Sequence, residues 1–191
     1  MLRTFLQDLR TKAEWCETTS TARVLLRDGT TAMAFYRAMR LCQRLRLVPL
    51  AFLLHRMNAC IGHAVIGRGA EFGPGFVILH SMGIVINSQV RGGRNVILEH
   101  GVTIGSEKGR SPVLGDDVYV GAGAKIIGAV RIGSRVKIGA NAVITRDVPD
   151  DATVVGIPAR IVRLNGQRID AVTVPGTEGR GAGDQEMAAT L

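Results

Sequence analysis

At 191 residues the chain has room for one main domain with extensions, and its 4% aromatic content is low for a β-sandwich. The net charge of +8 is uneven: Met1–Met57 holds 10 Lys and Arg against 4 Asp and Glu, whereas the rest holds 14 against 12. This excludes a uniformly basic chain that coats nucleic acid, and leaves a local attraction to an anionic surface. Cys16, Cys42 and Cys60 have no metal-type spacing, and no apolar h-region follows Met1. That usage fits a reducing cytoplasm, and the most apolar stretch, Leu47–Leu54, is too short to span a bilayer.

Residues 1–57 read as an α-helical segment. Phe35, Met39, Cys42 and Leu45 recur at helical spacing, Arg37, Arg40 and Arg44 fall on another face, and Pro49 divides the run. Such a segment either caps the main domain or a sister subunit, or presents a basic amphipathic surface to a membrane.

Residues 58–162 carry a repeat of six. Large apolar residues return at Ile66, Phe72, Ile78, Ile84, Val90, Val96 and Val102, and again at Leu114, Val120, Ile126, Ile132, Ile138 and Ile144. Val118, Ala124, Val130, Val136 and Ala142 sit two positions earlier, and Gly67, Gly73, Gly115, Gly121, Gly133 and Gly139 follow the anchors. Six residues advance about 600° around an α-helix, which scatters the anchors. A triangular coil with three flat sides turns every anchor inward, and glycine permits the corners. The period predicts a mainly β fold: a left-handed parallel β-helix of hexapeptide repeats, whose coils bury their faces against one another.

The phase breaks within residues 105–113. "SEKGRSP" (Ser106–Pro112) reads as a loop that leaves the coil and re-enters in phase, and a long excursion on a rigid scaffold is a candidate functional element. Residues 163–191 lose the repeat and, with Gly176, Gly179, Gly181 and Gly183, read as a flexible tail.

The stretches "LHSMGIVIN" (Leu79–Asn87), "HGVTIG" (His100–Gly105), "VYVGAGAKIIG" (Val118–Gly128), "IGANAVITRDVP" (Ile138–Pro149) and "VVGIPARIV" (Val154–Val162) resemble the serine acetyltransferases and their relatives in polysaccharide gene clusters. The resemblance covers roughly residues 33–163. It implies an acetyl-CoA-dependent O-acetyltransferase without a metal, with His80 as the matched general base that deprotonates a hydroxyl attacking the thioester. His100, after Glu99, also resembles the catalytic segment of hexapeptide sugar N-acetyltransferases; it is a second catalytic or acceptor-binding candidate, with Glu99 as its partner. For CoA the resemblance points to a groove between subunits, with Gly105, Ala122, Gly123 and Ala140 as its small lining and Lys125, Lys137 and Arg160 as cations for phosphates. Asn87 and Arg110 are candidates for the acceptor.

The departures fall on the acceptor side. Where the family carries carboxylates before and above the histidine, this chain has Leu79 and Val65, and the loop segment reads "GRSP" (Gly109–Pro112) without a histidine. These losses favour a sugar or exopolysaccharide hydroxyl over L-serine. The alternatives are a sugar N-acetyltransferase using His100 and a non-catalytic hexapeptide scaffold; a zinc site built on His63, His80 and His100 lacks the short spacing such sites use. The resemblance implies a homotrimer, with a hexamer as the alternative, and a small-molecule or glycan acceptor. It makes docking to cysteine synthase doubtful, because the chain ends in Leu191. His55 and His63 match nothing and read as structural.

Overall fold

The computed structural model describes residues 2–18 and 21–173. Four helices come first: α1 (Leu2–Trp15), α2 (Thr21–Leu25), α3 (Thr30–Arg44) and α4 (Val48–Cys60). Pro49 lies in the first turn of α4, where its missing N–H costs nothing. The chain between α3 and α4 reverses tightly at Arg46 (φ 59°), with the Leu47 N–H bonded to the Cys42 carbonyl at 2.8 Å.

The stripe that α3 buries is Ala32, Met33, Tyr36, Arg37, Met39 and Cys42. It is shifted from the expected one: Leu45 is exposed and Arg37 is buried. The reason is a partner that hydrophobic periodicity does not reveal. Arg37 donates to Asp8 of α1 (Nε to Oδ2 2.7 Å, Nη2 to Oδ1 3.0 Å) and to the carbonyls of Phe72 and Gly73. Asp8 Oδ1 also accepts the N–H groups of Gly75 and Phe76 at 2.8 and 3.0 Å. This buried pair, with every polar atom used, staples α1 and α3 to the first coil.

From Ala64 the backbone winds into a three-faced parallel β-helix of about five turns. The first face stacks Ala64–Ile66, Ile84–Ile86, Thr103–Gly105, Lys125–Ile127 and Val143–Ile144. The second stacks Glu71–Phe72, Arg91–Gly92, Val113–Leu114 and Arg131–Ile132; the third stacks Val77–Ile78, Ile97–Leu98, Tyr119–Val120, Lys137–Ile138 and Ala152–Val155.

Strand pairing corrects the single six-residue phase. Ile66 pairs with Ile86 and Ile86 with Ile104, so Ile84, Val90, Val96 and Val102 belong to a second inward set, which begins with Ala64, Ala70 and Phe76 on the three faces. Both sets are buried, because residues two apart on a strand face the same way. The switch arises because the first coil is two residues longer than the next: Ala64 pairs with Ile84, whereas Val85 pairs with Thr103. The extra residues fall at the His80–Gly83 corner. A larger excess, between Thr103 and its partner Lys125, is the loop expected at 105–113.

Residues 163–173, expected as tail, are not irregular. Arg160–Leu164 and Gln167–Thr173 form antiparallel strands that extend the third face. An edge strand needs only backbone partners, so the hairpin leaves no trace in the six-residue pattern. The remainder of the expected tail lies outside the described residues.

Candidate functional site

One corner of the coil, between the third and first faces, carries the histidines. Gly83, Gly101, Gly123 and Asn141 stack there with positive φ (72°, 66°, 72° and 55°). Each of the last three donates its N–H to the residue before the one above: Gly101 to Met82, Gly123 to His100 and Asn141 to Ala122, all at 2.8 Å. At φ 72° a side chain on Gly123 would be strained, and its Cβ would also have to displace the Asn141 amide. The ladder fixes the spacing of His80 and His100, whose rings lie edge to face with centroids 6.1 Å apart.

His80 is oriented from outside the β-helix. Its Nδ1 lies 3.1 Å from Oδ2 of Asp28, in the turn between α2 and α3. The other oxygen of Asp28 accepts the Gly29 N–H at 2.8 Å and approaches the Ser81 hydroxyl at 3.4 Å. Partial burial pushes the Asp28 carboxyl up, but the bond from His80 and the Gly29 N–H outweigh it and hold it below the usual carboxylate range. Gly29 (φ 77°) packs so closely on the Ile78 carbonyl that a side chain there would clash. Lys12 of α1 donates to the same carbonyl at 2.7 Å and to the Asp28 carbonyl. Thus α1 clamps the turn against the strand that leads into His80. Burial pulls the Lys12 ammonium down to about 8.

Asp28 was not among the candidates read from the sequence. Its signal is the Asp-Gly turn pair between two helical stretches, which marks a turn but not what the turn touches. His100 has a weaker partner: its Nδ1 lies 3.9 Å from Oε2 of Glu99, whose Oε1 is 3.4 Å from the Tyr119 hydroxyl. Adjacent residues on a straight strand point apart, but these stand past the strand end at a turn, where the two side chains approach to 3.9 Å. Trp15 of α1 stacks on Tyr119 at 5.0 Å.

Ala122 and Gly123 follow His100 down this same corner, and Ala140 follows them, forming a small-residue track below the histidines. Lys137 and Arg160 lie exposed on the third face. Lys125 is already committed, donating to the Gly101 carbonyl at 2.6 Å and the Thr103 hydroxyl at 3.2 Å. Gly105 lies at the far edge of the first face, against Ile127. Asn87 and Arg110 also lie beyond that edge, at the corner between the first and second faces. Asn87 bonds to both ends of the loop: its amide donates to the Ser106 hydroxyl and its carbonyl accepts from Ser111, each at 3.0 Å. Glu107 and Arg110 close the loop with reciprocal backbone bonds of 2.9 Å. Among the described residues no three His, Cys, Asp or Glu side chains converge on a metal position.

The family model described as bacterial transferase hexapeptide (six repeats) matches residues 111–146. The chain is 37% identical over 164 residues to the serine acetyltransferase of Synechococcus elongatus, covering 82% of this chain and 67% of the relative. It is 41% identical over 143 residues to that of Helicobacter pylori, covering 73% and 84%. Among solved structures, serine acetyltransferase of Brucella abortus in complex with coenzyme A superposes with a TM-score of 0.79 at 27% identity, covering 89% of this chain and 69% of that one. With 37% identity across two thirds of a curated serine acetyltransferase's length, the chain belongs to the serine acetyltransferase family.

Proposed function

We propose that the protein is an acetyl-CoA-dependent O-acetyltransferase in which His80, held by Asp28, is the general base. The carrying observation is the 3.1 Å contact between His80 Nδ1 and Asp28. A proton on Nδ1, shared with the carboxylate, leaves Nε2 with its lone pair. Nε2 takes the acceptor hydroxyl's proton as the oxygen attacks the thioester carbonyl. The tetrahedral intermediate then collapses, and the imidazolium returns the proton to the departing CoA sulfur. No covalent enzyme intermediate is needed.

The CoA complex of the Brucella relative supports acetyl-CoA as the donor here. The track of Ala122, Gly123 and Ala140 beside His100 suits a pantetheine arm, which needs close approach to backbone. Lys137 and Arg160 are better placed for its phosphates than Lys125, whose ammonium is spoken for. His80 and the Asn87–Arg110 corner stand at opposite edges of the first face of one subunit. A groove that uses both therefore needs a neighbouring copy, which supports a trimer with sites between subunits.

The family points to L-serine as acceptor. Leu79, which is buried, and Val65, which is exposed, stand where the resemblance expects carboxylates, and they favour a sugar hydroxyl instead. The proximity of His100 to Glu99 keeps a second reading, in which His100 is the base for a sugar amine. Free-thiol release from acetyl-CoA, measured with L-serine and a panel of sugars and amino sugars, separates them. We expect His80→Ala to lower kcat by about 10²–10⁴-fold with every acceptor. Full activity in that variant together with loss in His100→Ala would transfer the role to His100.

A further inference from the structure

The turn between α3 and α4 carries a run of exposed apolar side chains. Leu41, Leu45, Leu47, Val48 and Leu50 cluster around it, and Leu45 and Val48 are 59% and 57% exposed. Phe52 and Leu53 continue the apolar surface along α4, of which only Ala51 and Asn58 are fully covered. Scattered exposed leucines are ordinary, but a run of them at one protruding turn is not. The turn is also rigid: the bonds from Arg46 to Gln43 and from Leu47 to Cys42 fix its backbone, so docking it orders little chain.

The chain that forms the turn is basic, and the first carboxylate beyond it is Glu71. Residues 29–70 contain six arginines, Arg37, Arg40, Arg44, Arg46, Arg56 and Arg68, and no Asp or Glu. Beside the turn lies a cavity of about 290 Å³ walled by Arg37, Arg40, Arg44, Arg91 and Glu71. Arg37 is spent on Asp8, and Glu71 holds Arg40 at 2.6 Å with Arg91 at 3.7 Å. Arg44, the last residue of α3, faces the cavity next to the exposed leucines. An apolar turn flanked by Arg44 and Arg46, with a recess at Arg44 walled by guanidinium groups and Glu71, matches the layering of acyl chains below phosphate headgroups.

We propose that the α3–α4 turn is a membrane-docking tip: Leu45, Leu47, Val48 and Leu50 enter the interface of an anionic bilayer, and the recess at Arg44 receives a lipid phosphate. No described helix is long and apolar enough to cross a membrane, so the helical segment lies on the surface rather than spanning it. This inference is independent of which histidine is the base.

The full chain is tested by co-sedimentation with vesicles of phosphatidylglycerol and phosphatidylcholine, and with phosphatidylcholine alone. A Leu47→Trp variant reports depth by quenching from brominated acyl chains. We expect binding to the anionic vesicles, weakening with salt, and quenching at the tip. Leu47→Glu/Val48→Glu should abolish binding while leaving oligomeric mass and circular dichroism unchanged. Arg44→Glu should weaken it at least about fivefold, the partitioning contributed by one basic residue near such a surface. No binding, or binding indifferent to these changes, would overturn the proposal. Loss of the oligomer in the Leu47→Glu/Val48→Glu variant would also overturn it, and would assign the tip to a second copy of the chain.

Discussion

At the scale of single residues, Asp28 and Lys12 set how the proposed base is held. If Asp28 fixes the His80 tautomer, Asp28→Asn should lower kcat by at least about tenfold with KM little changed, because a misoriented imidazole still permits binding but not proton transfer. Steady-state kinetics on the folded variant check this; a change confined to KM would place Asp28 in acceptor binding instead. Lys12 tests the clamp behind it. Its ammonium is drawn down to about 8 in the folded protein from an ordinary 10.5, so between these values the unfolded chain binds more protons. Its contribution to stability therefore rises as pH increases from about 8 to 10.5, by up to about 3 kcal/mol. Urea unfolding across that range, compared with Lys12→Met, should show a rise in the wild type that the variant lacks. Asp8 and Arg37 predict a different kind of sensitivity. Asp8→Ala strands a buried guanidinium, and we expect a loss of about 3–5 kcal/mol in the same unfolding assay.

At the scale of elements, the coil interior and the corners answer to different rules. Ile126 is fully buried between Ile104 and Ile144, so Ile126→Ala should cost about 2–5 kcal/mol, read from the denaturation midpoint. The inward columns are legible in the sequence alone, because burial on a flat three-sided coil depends only on spacing. The two-residue excess at His80–Gly83 is not. Both inward sets are apolar, so a slip from one to the other leaves the run of hydrophobic residues unbroken, and only strand pairing reveals it. The 105–113 loop is legible because its residues cannot be interior. Its anchoring by Asn87 is not, since that requires knowing which coil lies above. The C-terminal hairpin is hidden for a related reason: its strands add to a sheet edge through backbone bonds and need no hexapeptide spacing.

For the whole molecule, a site that used both the histidine corner and the loop corner would make assembly part of the chemistry. Light scattering should give the mass of a trimer or a multiple of it, and activity per chain should fall on dilution below the dissociation range. An active monomer would mean that one corner suffices. The fold class, the repeat zone and the loop follow from local rules acting on sequence: period, glycine placement and the mismatch of polar residues with an interior; the candidacy of His80 comes from the resemblance of its segment to the serine acetyltransferases. Tertiary structure alone decided what orients His80. Asp28 lies 52 residues away along the chain, in a turn whose position depends on Lys12, Gly29 and the packing of helices on the first coil. A local pattern can place a side chain on a face of its own element. It does not say which distant carboxylate will be folded against it.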